Sequence, residues 1–145
     1  MKDKIIKEFL KQILHKNNFI KTSKFYVRYF SEFIIKLDMQ KSNYGDGYYI
    51  NYYFLVKELH TSKELLELRI GDITGRLRYE INGKLTDLFM IDEVDDKLFK
   101  QLNDAVTEII SLVEKDGIQG YLKKYPKALL TAPIYTKEYI QNMRL

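Results

Sequence analysis

The chain has 145 residues, with 24 basic against 20 acidic side chains for a net charge of +4, and neither cysteine nor tryptophan. That length suits one domain, 1–145, large enough to bury a core without a metal or disulfide staple. The missing cysteines exclude disulfides, zinc thiolate sites and cysteine nucleophiles; with no signal peptide and no long apolar run, the expectation is a cytoplasmic, non-membrane protein.

The first helix is read from Ile5, Ile6, Phe9, Leu10, Ile13 and Leu14, which recur at helical spacing opposite Lys2, Lys4, Lys7 and Lys11. Asn17 and Asn18 end it, because asparagine tolerates the left-handed conformation of a C-cap. Period-two segments follow at Phe25–Phe30, Phe33–Gln40 and Tyr48–Lys57. Their short connections make them antiparallel neighbours with one apolar and one mixed face. Gly45-Asp46-Gly47 sits between two strands and reads as a hairpin turn, since a phosphate cradle needs a helix after its glycines. Residues 59–68 read as a loop with a short helical turn.

A fourth strand is expected from about Asp72 to Ile81 and a fifth from Lys84 to Met90, joined by Asn82-Gly83, a hairpin dipeptide suited to positive φ. Asp92 is the expected N-cap of a long helix through Gly117, with Asp95 and Asp96 favoured near its positive end. A short helix then runs to Pro126, and Thr136 is read as the cap of a last turn. The predicted fold class is therefore α+β. An N-terminal helix precedes an antiparallel sheet of four to five strands in meander order, and C-terminal helices pack on one sheet face.

Charge divides the chain in three. Residues 1–24 carry seven lysines against two acids, 25–120 twelve basic against 17 acidic, and 121–145 five against one. Lysines on the wet faces of amphipathic helices account for the basic ends; an anionic partner is the functional alternative.

No catalytic motif is present. His15 and His60 lack a second ligand at metal spacing, and the acidic run from Asp92 to Asp96 lacks the spacing of a calcium loop, so neither metal nor cofactor is expected. Lys41 and Ser42 are adjacent on a strand and point to opposite faces, which separates them as a base and nucleophile unless the strand is bulged or finished there. Arg76 and Arg78, two apart on the expected strand, share a face and suit carboxylate or phosphate, unless they pair with acids such as Asp38 or Glu58. Tyr44, Tyr48, Tyr49, Tyr52 and Tyr53 suit stacking or a protein contact, but alternation buries about half of them.

The segment Leu37–Asn51, LDMQKSNYGDGYYIN, with Gln40-Lys41-Ser42 before an aromatic strand, resembles the bacterial "domain of unknown function 4304" family. Arg76 in its strand and the segment Gly117–Leu122 extend the resemblance. The tryptophans expected after the arginine strand are absent. The resemblance implies a compact α+β domain and transfers no activity, cofactor or partner. Candidate binding residues are Gln40, Lys41, Ser42, Arg76 and Arg78. The leading reading is a non-enzymatic module for a protein partner, such as an immunity protein that neutralises a toxin. The alternatives are single-stranded nucleic-acid binding through basic termini and exposed tyrosines, and a small-molecule or phosphoester enzyme with a Gln/Lys/Arg site.

Overall fold

A computed structural model of the chain describes residues 2–43, 45–90 and 95–143. Helix α1 (Lys2–Lys16) leads into strands β1 (Ile20–Thr22), β2 (Phe25–Tyr29), β3 (Phe33–Lys41) and β4 (Gly47–Val56). A 3-10 turn (Lys57–Leu59) and the short helix α2 (Ser62–Leu66) precede β5 (Ile73–Arg76), β6 (Tyr79–Ile81), β7 (Lys84–Thr86) and β8 (Leu88–Met90). Helices α3 (Asp96–Asp116) and α4 (Ile118–Lys124), a 3-10 turn (Pro126–Thr131) and α5 (Ile134–Met143) complete the chain.

The sheet is antiparallel and sequential, β1-β2-β3-β4-β5, as the meander pattern requires. One apolar face carries Phe33, Ile35 and Leu37 of β3 and Ile50, Tyr52 and Phe54 of β4. It packs with Leu10 and Ile13 of α1, Leu102 and Val106 of α3, Tyr121 of α4 and Ile140 of α5. Burying each such aliphatic side chain contributes about 1.5–3 kcal/mol. Asn18 ends α1 with φ 65° and Gly117 ends α3 with φ 66°, both in the left-handed region expected of helix ends.

Four features depart from the sequence reading. A short β1 precedes the meander, with Ile20 paired to Val27. The expected fourth strand breaks after Arg76, and the expected fifth breaks at Asp87. The reason is the length of β4: residues Phe54 to Asn51 pair with β5, and Tyr49 to Gly47 pair with β8 along the same edge. Between these two strands the chain leaves the sheet as the hairpin β6–β7, turned at Asn82 (φ 51°) and Gly83 (φ 77°). Thr136 lies inside α5 and is buried, its hydroxyl donating to Asp72 at 3.2 Å, so it is a packing contact rather than a cap. Asp92 lies outside the described residues; the cap of α3 is Asp95, which accepts from the Leu98 amide at 2.8 Å.

The mixed face is also covered. Leu65, Leu66 and Ile70 fold over it and enclose a second small core with Phe25, Val27, Ile34, Tyr53 and Leu55. The covering segment is fixed by a capping box, in which Thr61 Oγ1 accepts from the Glu64 amide at 3.3 Å and Glu64 Oε1 from the Thr61 amide at 3.0 Å.

Candidate functional site

Strand register places Asp38 opposite Asn51 and Asn51 opposite Arg76, so three polar side chains form one row across β3, β4 and β5 on the mixed face. The Arg76 Nε donates to Asn51 Oδ1 at 3.1 Å. Asn51 Nδ2 in turn donates to Asp38 Oδ1 at 3.2 Å and to Gln40 Oε1 at 3.0 Å. Every polar group of the carboxamide is thereby engaged, both of its N–H groups and its oxygen. Tyr53 OH donates to the same Asp38 oxygen at 3.1 Å. Burial, and then the carboxylate beside it, push the Tyr53 hydroxyl well above its usual pKa, so it stays a donor.

The other carboxylate oxygen of Asp38 lies 2.8 Å from Arg69 Nε as an ion pair, but the N–H is not aimed at it, and it accepts no hydrogen bond among the described residues. At its outer end the Arg76 guanidinium lies 3.9 Å from the centre of the Tyr49 ring and 3.7 Å from Asp87 Oδ2. Asp38 and Asn51 are buried, whereas the Arg69 and Arg76 side chains are 50 and 40 % exposed. The row therefore runs from a buried anion to two half-exposed cations.

Two residues before Asp38 on β3 and on the same face, Lys36 is fully buried (0 % exposed). Its Nζ donates to the carbonyl oxygens of Leu68 at 2.5 Å and Glu64 at 3.3 Å, and lies over the Phe25 ring at 4.5 Å. Burial pushes its pKa down to about 8, with Asp38 pulling the other way. A second buried cluster ties the covering segment to α5. Asp72 accepts from the Val56 amide at 2.8 Å, and its Oδ1 stands 2.7 Å from His60 Nε2.

Of the five candidate residues, Gln40 and Arg76 are brought together, through Asn51. Lys41 is exposed at the end of β3 in register with Tyr48, and Ser42 is buried just beyond it, its amide donating to the Gly47 oxygen at 2.9 Å. Because β5 stops at Arg76, the expected side-by-side arginines do not form. The Arg78 charge acts on Tyr52 and Tyr121, which belong to the helix-covered face. Arg76 takes Asp87 as its acid, not Asp38 or Glu58. The sequence reading did not single out Asn51 or Arg69, and it read Tyr53 for stacking or a protein contact rather than as a donor to Asp38, although Asp38 and Asn51 are both polar interruptions within otherwise apolar or aromatic strands. Tyr48, Tyr52 and Tyr53 are buried and Tyr49 lies under Arg76, which leaves little of that tyrosine run to stack on a ligand. Tyr44 lies outside the described residues. Among the described residues, no group of three or more His, Asp or Glu side chains is placed to hold a metal ion, and no helix is long and apolar enough to cross a membrane.

A family model described as a domain of unknown function, DUF4304, matches residues 10–125. The chain belongs to this family. No curated protein and no solved structure matches it. The DUF4304 match spans the whole Asp38–Asn51–Arg76 row, Lys36, Arg69 and the His60–Asp72 pair, and ends before α5 and Thr136.

Proposed function

We propose that this DUF4304 chain is a non-enzymatic binding module, and that it receives an acidic protein partner on the outer edge of the Asp38–Asn51–Arg76 row. The observation behind this reading is the state of Arg69 and Arg76. Each guanidinium is anchored from below by a buried polar group while about half of its side chain faces solvent. Anchoring removes much of the entropy cost of ordering a long side chain on binding, and arginine is enriched among residues that dominate interfaces. Catalysis is disfavoured by the same geometry. Asn51 and Gln40 are engaged with their neighbours, and the row has no nucleophile beside a free base.

The test is affinity capture from cell extract with wild-type bait and with a variant carrying Arg69→Lys and Arg76→Gln. The lysine keeps a cation beside Asp38, so the fold survives. The expected result is a stoichiometric acidic protein retained by the wild type and reduced about tenfold with the variant, a loss of about 1.4 kcal/mol. Identical captured sets would reject the assignment. Retention of a single-stranded oligonucleotide, lost in the variant and falling steeply with salt, would move the face to nucleic-acid binding.

A further inference from the structure

The helix-covered side of the sheet opens at its β5 edge. A cleft of about 760 Å³ lies between β5, α4 and the 3-10 turn Pro126–Thr131, within the size range of small-molecule sites, about 300–1,000 Å³. Two phenols line it, Tyr52 and Tyr121, their hydroxyl oxygens 2.6 Å apart. One proton fills that hydrogen bond. The second hydroxyl proton has no acceptor among the described residues, so the pair has one donor to give. Burial pushes both phenols up in pKa, and the nearby Arg78 charge offsets this in part, so both stay protonated at neutral pH. Gly75 makes room for the arrangement: a Cβ there would stand 2.3 Å from the Tyr52 hydroxyl.

The charges around this pair are one-sided. Four basic residues, Arg76, Arg78, Lys124 and Lys127, border the cleft with a single acid, Glu108. Glu108 is already paired with Lys124 and accepts from Tyr125 OH at 3.4 Å, while Arg76 is engaged by Asn51 and Asp87. Arg78 and Lys127 have no acidic partner among the described residues. The walls are apolar, and two of their residues remain uncovered: Leu85 is 63 % exposed and Tyr125 40 %. Unpaired cations and a spare phenol donor call for an anionic oxygen group, and the bare apolar walls call for a body attached to it.

We propose that this cleft is a binding site for a small amphipathic organic anion, a carboxylate or phosphate monoester on an aromatic or aliphatic body. The anion would be held by Arg78 and Lys127 and would accept the free proton of the Tyr52–Tyr121 pair. The cleft shares Arg76 at its border with the outer arginine row, but the groups that would hold the anion, Arg78, Lys127 and the tyrosine pair, are not members of that row.

The probes are phenyl phosphate and benzoate, with inorganic phosphate testing the charge alone and benzyl alcohol the body alone. Each is titrated into the full chain and followed by amide chemical shifts and calorimetry. Saturable binding of at least one aromatic anion is expected, with shifts centred on residues 75–78 and 121–128 and both controls weaker by about tenfold or more. Arg78 and Lys127 are exposed, so Arg78→Gln and Lys127→Ala leave the core intact. Arg78→Gln should weaken binding about tenfold and Tyr121→Phe about fivefold, with Arg69→Lys without effect. No saturation with either aromatic anion, or an affinity unmoved by Arg78→Gln and Lys127→Ala, overturns the site. Inorganic phosphate binding as tightly as phenyl phosphate overturns the amphipathic assignment.

Discussion

Lys36 gives the fold a stability profile that rises with pH where most proteins are level. Its ammonium is enclosed under α2 and its pKa falls from the ordinary 10.5 to about 8, chiefly through burial. Below about pH 8 folded and unfolded chains both hold the proton, and the fold bears the full cost of the buried charge. Between the folded and unfolded values the unfolded chain binds more protons, so unfolding free energy increases with pH. The two values give a gain of about 2 kcal/mol between about pH 7 and pH 9.5. Above about pH 10 the sign reverses. The hydroxyls of Tyr52, Tyr53 and Tyr121 are all pushed up in the folded state, so the unfolded chain loses those protons first. Urea unfolding of the wild type should therefore show maximal stability near about pH 9–10. Lys36→Met leaves the Glu64 and Leu68 carbonyls without their donor, at about 1–3 kcal/mol each, while removing the buried charge, so its stability at neutral pH is a balance of two terms. The slope decides. Parallel wild-type and Lys36→Met profiles across this window would refute a buried titrating ammonium.

Three further outcomes follow from close contacts elsewhere. Gly120→Ala places a Cβ 1.9 Å from the Leu112 carbonyl oxygen, where helix backbone must move, and should cost about 3 kcal/mol or more in a thermal melt. Asp72→Ala strips the acceptor from the Val56 amide, His60 and Thr136. It should lower stability by about 3 kcal/mol, and the Val56 amide should exchange faster than its neighbours on β4. Thr61→Ala removes the side-chain half of the capping box on α2 and should cost about 1 kcal/mol, with the loss concentrated in amide exchange of residues 61–68.

Where the sequence was legible, the signal was local. The apolar stripe of α1, the alternation through β2, β3 and β4, and the Asn82-Gly83 turn each depend on neighbours within a few residues. The breaks in the fourth and fifth strands were not legible, because alternation continues through Leu77, whose amide still bonds Ile50 of β4, to Tyr79, which already belongs to the separate β6–β7 hairpin. What ends β5 is competition for the edge of β4, a long-range fact. The row Asp38–Asn51–Arg76 was hidden for the same reason. Its members are 13 and 25 residues apart in sequence. They become neighbours only when the register of three strands is set.

Alternation alone also assigns Lys36, Asp38, Asn51 and Tyr53 to a wet face, and the structure buries all four. The covering segment closes over charged and polar side chains because they supply its missing partners. Lys36 caps the carbonyls of Glu64 and Leu68, and Asp38 holds Arg69 at the far end of the same segment. An apolar strand face would bury more hydrocarbon but would leave those carbonyls without donors. It would also remove the polar anchors of Arg69 and Arg76, Asp38 and Asn51. Gln40, the first residue of the Gln40-Lys41-Ser42 segment, belongs to this arrangement as an acceptor. By taking one proton of the Asn51 amide it helps orient the Asn51 oxygen toward Arg76. Gln40 thus acts on the outer face by positioning Asn51 and, through it, the guanidinium of Arg76.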